Sequence, residues 1–79
     1  MEELVLYIVK SLVSKPDDVK LDTKNEDGMV SIQLTVSPDD MGVVIGKNGQ
    51  TIRSIRKLLV ARVMAENNNL RVNLTLQEN

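Results

Sequence analysis

Apolar positions recur with two different periods along this chain. Over residues 2–14 the spacing is helical: Leu4, Val5, Ile8, Val9 and Leu12 fall on one stripe. Glu2 and Glu3 suit the first turn of that helix, Lys10 and Lys15 lie towards its end, and Pro16 stops it. Over residues 19–25 the period drops to two. Val19, Leu21 and Thr23 point one way, and Lys20, Asp22 and Lys24 the other, as in a half-buried strand. Asn25-Glu26-Asp27-Gly28 is a turn signal. Residues 29–36 alternate again, with Val30, Ile32, Leu34 and Val36 inward. The two strands are expected to form an antiparallel hairpin.

Ser37-Pro38-Asp39-Asp40 reads as a helix start: serine caps, proline fits the first helical position, and the aspartates favour the positive end of the dipole. That helix can run only to about Ile45, because Gly46-Lys47-Asn48-Gly49 interrupts it. A longer helix follows to about Glu66, burying Ile52, Ile55, Leu59 and Val63. Asn67-Asn68-Asn69 is a loop, and a third strand closes the chain with Leu70, Val72, Leu74 and Leu76 inward. The order is α-β-β-α-α-β. Two helices connect the second strand to the third, and such a crossover favours parallel pairing. The expected fold is α+β: a three-stranded mixed sheet with three helices packed on one face and Ser31, Gln33, Thr35, Arg71, Asn73 and Thr75 on the solvated face. Residues 1–79 read as a single domain without internal repeats.

Composition sharpens this picture in three places. Among 79 residues there is one Tyr and no Phe or Trp, so the core must be aliphatic. The absence of cysteine and histidine excludes disulfides and thiolate or imidazole metal sites, and no metal or cofactor is expected. A cysteine-free chain fits a reducing, cytoplasmic compartment. The N-terminal residues lack the basic and cleavable segments of a signal peptide, and charges interrupt their apolar positions. Net charge is only −1, yet residues 41–65 carry Lys47, Arg53, Arg56, Lys57 and Arg62 and no acid. A local basic surface on a near-neutral domain can still attract phosphate over roughly 8 Å at physiological salt.

The glycine pair Gly46 and Gly49 is compatible with a plain turn between helices. Its setting points further. Gly49 leads into a long helix whose first amides are unpaired. Glycines let a sugar–phosphate backbone approach, and Lys47 and Asn48 place a charge and a hydrogen-bonding group at the tip. Val44, Ile45 and Ile52 can supply an apolar wall beside the amides. Such a clamp suits a single strand with its bases turned inward. No P-loop or dinucleotide pattern is present, and the adjacent Asp39 and Asp40 fit dipole and capping positions, so an enzyme is not expected.

The stretch VIGKNGQTIRSIR (residues 44–56) resembles the V-I-G-x-x-G-x-x-I core of KH domains. The element order matches the type II, bacterial arrangement, and the resemblance covers essentially the whole chain. A stand-alone domain of this length is similar to the KhpA family of small bacterial RNA-binding proteins. The resemblance implies a single-stranded RNA groove among the loop, its flanking helices and the last strand, with residues 67–69 as the variable loop. It assigns backbone contacts to Gly46, Lys47, Asn48 and Gly49. It gives the apolar lining to Val44, Ile45, Ile52 and Val72, and phosphate or base edges to Arg53, Arg56 and Arg71. The expected role is an RNA chaperone or post-transcriptional regulator. With no aromatic stacking platform, and Tyr7 read as a surface residue, weak and loosely specific binding of about four nucleotides is expected.

A second face of the long helix carries Ser54, Leu58, Ala61 and Ala65. It is either a tolerated exposed leucine among small residues or a helix–helix dimer contact centred on Leu58. The resemblance implies self-association, and pairing with KhpB, a larger relative carrying a KH domain. Two other functions fit the residues: a protein-interaction module with little RNA binding, or a binder of single-stranded DNA.

Overall fold

A computed structural model describes residues 2–66 and 69–79. The amphipathic N-terminal segment forms helix α1 (Glu2–Leu12), and a 3₁₀ turn follows at Pro16–Asp18. Strands β1 (Lys20–Glu26) and β2 (Met29–Val36) form the hairpin. A second 3₁₀ turn at Pro38–Asp40 leads into α2 (Met41–Ile45), and a third at Lys47–Gly49 joins it to α3 (Gln50–Glu66). Strand β3 (Arg71–Glu78) completes the sheet. The sheet order is β1-β2-β3, antiparallel for the first pair and parallel for the second. Fold class, element order and mixed pairing are those expected from the sequence.

Alternation along β2 sets the core. Val30, Ile32, Leu34 and Val36 are buried and meet Val5 and Val9 of α1, Val44 of α2 and Ile52, Ile55 and Leu59 of α3 in one cluster. Each such side chain contributes about 1.5–3 kcal/mol when fully buried. Because these helix residues join the inward face of β2, the helices lie on one side of the sheet. Exposed Gln33, Arg71, Asn73 and Thr75 occupy the other.

Three local details differ from the sequence reading. The hairpin turn is shorter: Asn25 and Glu26 pair within β1, and only Asp27 and Gly28 turn, with φ of 49° and 80°. Two consecutive left-handed residues match the right-handed twist of the strands. Leu12 is exposed, and Leu6 and Val13 pack against the core instead. The buried stripe continues at four-residue spacing from Val5 through Val9 to Val13, which leaves Leu12 at its margin. Finally, Asp39 and Asp40 face the segment that follows α1. Asp39 pairs with Lys15 at 2.7 Å. Asp40 is almost wholly buried; its Oδ1 accepts hydrogen bonds from the Ser14 amide (2.9 Å) and hydroxyl (2.8 Å), and its Oδ2 one from the Lys15 amide (3.1 Å). The Ser14 amide bond, helped by the Ser14 hydroxyl, the Lys15 amide and the Lys15 charge, holds this carboxyl below its ordinary pKa against the opposing effect of burial. The chain end of α1 is thereby fastened to the start of α2.

Candidate nucleic-acid interface

The backbone of the glycine loop follows from its residue types. Gly46 has φ 76° and ψ 172°, a combination essentially restricted to glycine. Asn48 is left-handed at φ 55°, ψ 27°, and Gly49 has φ 73°. Asparagine is among the few side chains that adopt this conformation readily. Asn48 therefore has a backbone role that its reading as a hydrogen-bonding side chain did not include.

Two of the loop amides already have partners. The Gly46 N–H donates to the Gly42 carbonyl (2.9 Å) and the Gly49 N–H to that of Gly46 (3.1 Å). The amides of Lys47 and Asn48 have no such partner among the described residues. The anion-seeking group is thus narrower than the whole loop: two adjacent N–H groups, in a loop whose Lys47 side chain is exposed. The Arg53 guanidinium lies over Gly49, where Nη1 is 2.9 Å from the position a Cβ would occupy.

From Gly49 the residues Arg53, Arg56, Val60 and Met64 follow at spacings of three or four and share one side of α3. Arg56 Nε donates to the Leu74 carbonyl at 3.2 Å, tying mid-helix to β3. Beyond it, Val60, Val63, Met64, Leu70, Arg71 and Val72 line a pocket of about 290 Å³ between α3 and the start of β3. At 1.5 Å per residue, Met64 lies roughly 22 Å along the helix from Gly49. A cationic lane therefore runs from the free amides to an apolar pocket edged by Arg71.

Of the expected site residues, Gly46, Lys47, Asn48, Gly49, Arg53 and Arg56 lie in the loop and along this side of α3, and Arg71 and Val72 line the pocket at its end. Two others do neither. Val44 is 0% exposed and Ile52 only 7%, so both belong to the core and cannot wall a groove. Helical geometry gives the reason: one residue of the Val44-Ile45 pair must turn inward, and Ile45 is the one left 37% exposed. Val60 and Met64 were missed by sequence reasoning. The signal was present in the i, i+4, i+8 spacing from Arg56, but mixed charged and apolar character along that row obscured it. Asn67 and Asn68 of the expected variable loop lie outside the described residues. Ser54, Leu58, Ala61 and Ala65 are all exposed on α3, with Leu58 at 52%. The Ser54 hydroxyl is engaged locally by the Gln50 carbonyl (2.9 Å). Among the described residues no helix is long and apolar enough to cross a membrane.

Comparison with known proteins places the sequence in a family. The sequence model of the KhpA/KhpB KH domain matches residues 2–76. The RNA-binding protein KhpA of Chlamydia trachomatis serovar D is 42% identical over 78 residues, covering 99% of this chain and 97% of its own. That of Clostridium perfringens is 45% identical over 67 residues, covering 85% and 89%. That of Listeria monocytogenes is 48% identical over 61 residues, covering 77% and 80%. With its fold, its glycine loop and its sequence in accord over nearly its full length, this chain belongs to the KhpA/KhpB family of KH domains.

Proposed function

We propose that this chain binds single-stranded RNA through the glycine loop and the lane along α3. The observation that carries the reading is the pair of amides at Lys47 and Asn48, without a partner among the described residues, in a loop that carries the exposed Lys47 and has the Arg53 guanidinium over Gly49. Backbone N–H groups and cations together suit phosphate, and Gly46 and Gly49 permit the positive-φ backbone that shapes this loop. Ile45 and the pocket edged by Arg71 offer apolar contact to bases turned inward. The names of the bacterial relatives, RNA-binding proteins, support the same ligand. Without aromatic residues along the lane, stacking worth roughly 1–3 kcal/mol per base is forgone, so binding is weak and broad in sequence. That behaviour fits an RNA chaperone or post-transcriptional regulator working in the cytoplasm as a single non-enzymatic domain without a cofactor.

Titration of labelled oligonucleotides tests this directly. The double variant Lys47→Asp, Asn48→Asp is expected to lose roughly tenfold or more in RNA affinity, with a salt dependence shallower by about one phosphate contact. Aspartate tolerates the left-handed backbone at position 48, so the fold is retained. Equal binding by variant and wild type would overturn the assignment of the loop. A single-stranded DNA arm shows whether the ribose 2′-hydroxyl matters.

The exposed Leu58, flanked by Ser54, Ala61 and Ala65, supports a helix-mediated homodimer or a heterodimer with KhpB. Pairing two weak sites raises avidity. Leu58→Asp is expected to yield a monomer by sedimentation at tens of micromolar, where the wild type is a dimer. A wild type that is monomeric at that concentration refutes the contact. A protein-interaction role alone is favoured instead if Leu58→Asp abolishes association while neither protein binds RNA.

A further inference from the structure

The outer edge of the sheet carries a charge sequence that its own chain does not use. Strand β1 lies at the sheet margin with β2 as its neighbour. Its solvent-facing residues are Lys20, Asp22, Lys24 and Glu26, all exposed and alternating in sign. Ion pairs among the described residues are Lys15–Asp39 and Arg62–Glu66, so none of these four is engaged. Nor does any side chain hydrogen-bond the backbone of β1 among the described residues, whereas Arg56 covers a carbonyl of β3.

We infer that β1 pairs antiparallel with β1 of a second copy of this chain, about a two-fold axis through Thr23, joining two sheets into one. Charge complementarity selects this occupant and this register. With Thr23 opposite Thr23 of the copy, Lys20 faces Glu26 and Asp22 faces Lys24, each pair occurring twice by symmetry. A slip of two residues in one direction sets Lys20 against Lys24 and Asp22 against Asp22. A slip in the other direction sets Asp22 against Glu26 and Lys24 against Lys24. A one-residue slip turns the charges to the wrong face. Parallel pairing in register opposes like to like throughout. Charge on an edge strand usually prevents pairing; here it forbids the neighbouring registers and permits one. The contact is separate from the α3 face, and together the two contacts would link copies into open chains. It is also independent of the RNA reading.

The test uses the full chain carrying Leu58→Asp, which removes the helix contact proposed above, followed by sedimentation from tens of micromolar to about 1 mM. A reversible dimer that weakens at high salt is expected, because exposed ion pairs are screened. Adding Lys24→Asp sets two carboxylates against each other, the new one facing Asp22 of the copy, and should raise the dissociation constant roughly tenfold. Adding Asp22→Lys as well restores opposite signs and should restore the dimer. Asp22 and Lys24 both lie on the exposed face of β1, and the doubly exchanged chain controls for folding. A chain that stays monomeric throughout overturns the inference. So does equal association by the Lys24→Asp chain, or a failure of the second exchange to rescue it.

Discussion

Gly46→Ala is expected to lower stability by more than about 3 kcal/mol, the largest effect of any single loop substitution. Alanine cannot readily hold φ 76°, ψ 172°. Its Cβ would also collide with Thr51: it would overlap the side chain and lie only 2.9 Å from the backbone nitrogen. That nitrogen belongs to the first turn of α3, which buries Ile52 and Ile55 and cannot retreat without opening the core. Gly49→Ala makes the contrast. There the close atom is Arg53 Nη1, the end of a flexible side chain, and φ is 73°. A penalty of about 1–2 kcal/mol is expected from the left-handed backbone. Urea unfolding followed by far-ultraviolet circular dichroism separates the two. Equal midpoints for both variants would show that the Thr51 collision is relieved elsewhere.

Asp40→Asn should destabilise the fold at neutral pH and also alter how stability responds to acid. The wild-type carboxylate collects three hydrogen bonds from Ser14 and Lys15. An amide offers one acceptor oxygen in place of two and turns an N–H₂ towards one of those donors, leaving it unpaired. A fall in melting temperature of roughly 10 °C is expected for a domain of this size. The pH argument follows from the direction of the shift. The folded carboxyl is held below its unfolded pKa, so its contribution is fully present above the unfolded value near 4 and is lost as pH falls through the folded one. Thermal melts between pH 7 and pH 2.5 should therefore show wild-type stability falling in the acid range by more than that of the Asn variant. Parallel pH profiles would remove Asp40 from the account.

Much of this architecture was legible in the residue pattern, because burial on one face imposes a period that side chains must obey. Val30, Ile32, Leu34 and Val36 announced the central strand, and Ile52, Ile55, Leu59 and Val63 the long helix; all are buried. Parallel pairing of β2 with β3 followed from the two-helix crossover. What remained hidden depended on contacts between elements distant in sequence. Nothing local to Asp40 reveals that Ser14 will lie beside it. Likewise, the choice of Val44 over Ile45 for the interior is made by the crossing of α2 over the sheet, since both are aliphatic and adjacent. At the site, the motif located the loop and its cations. The pocket was harder to see because its lining comes from two elements, Val60 and Met64 on α3 and Leu70 to Val72 before and within β3.

The mixed sheet also imposes an order of assembly. β2 reaches β1 across Asp27 and Gly28 alone, but reaches β3 only after α2 and α3 have been laid across the intervening distance. Closing that larger loop forfeits more chain entropy, so the hairpin forms early and β3 docks late. Until it does, the central strand keeps an open flank beside its row of valine, isoleucine and leucine, and the nascent polypeptide is then at its most vulnerable to clumping.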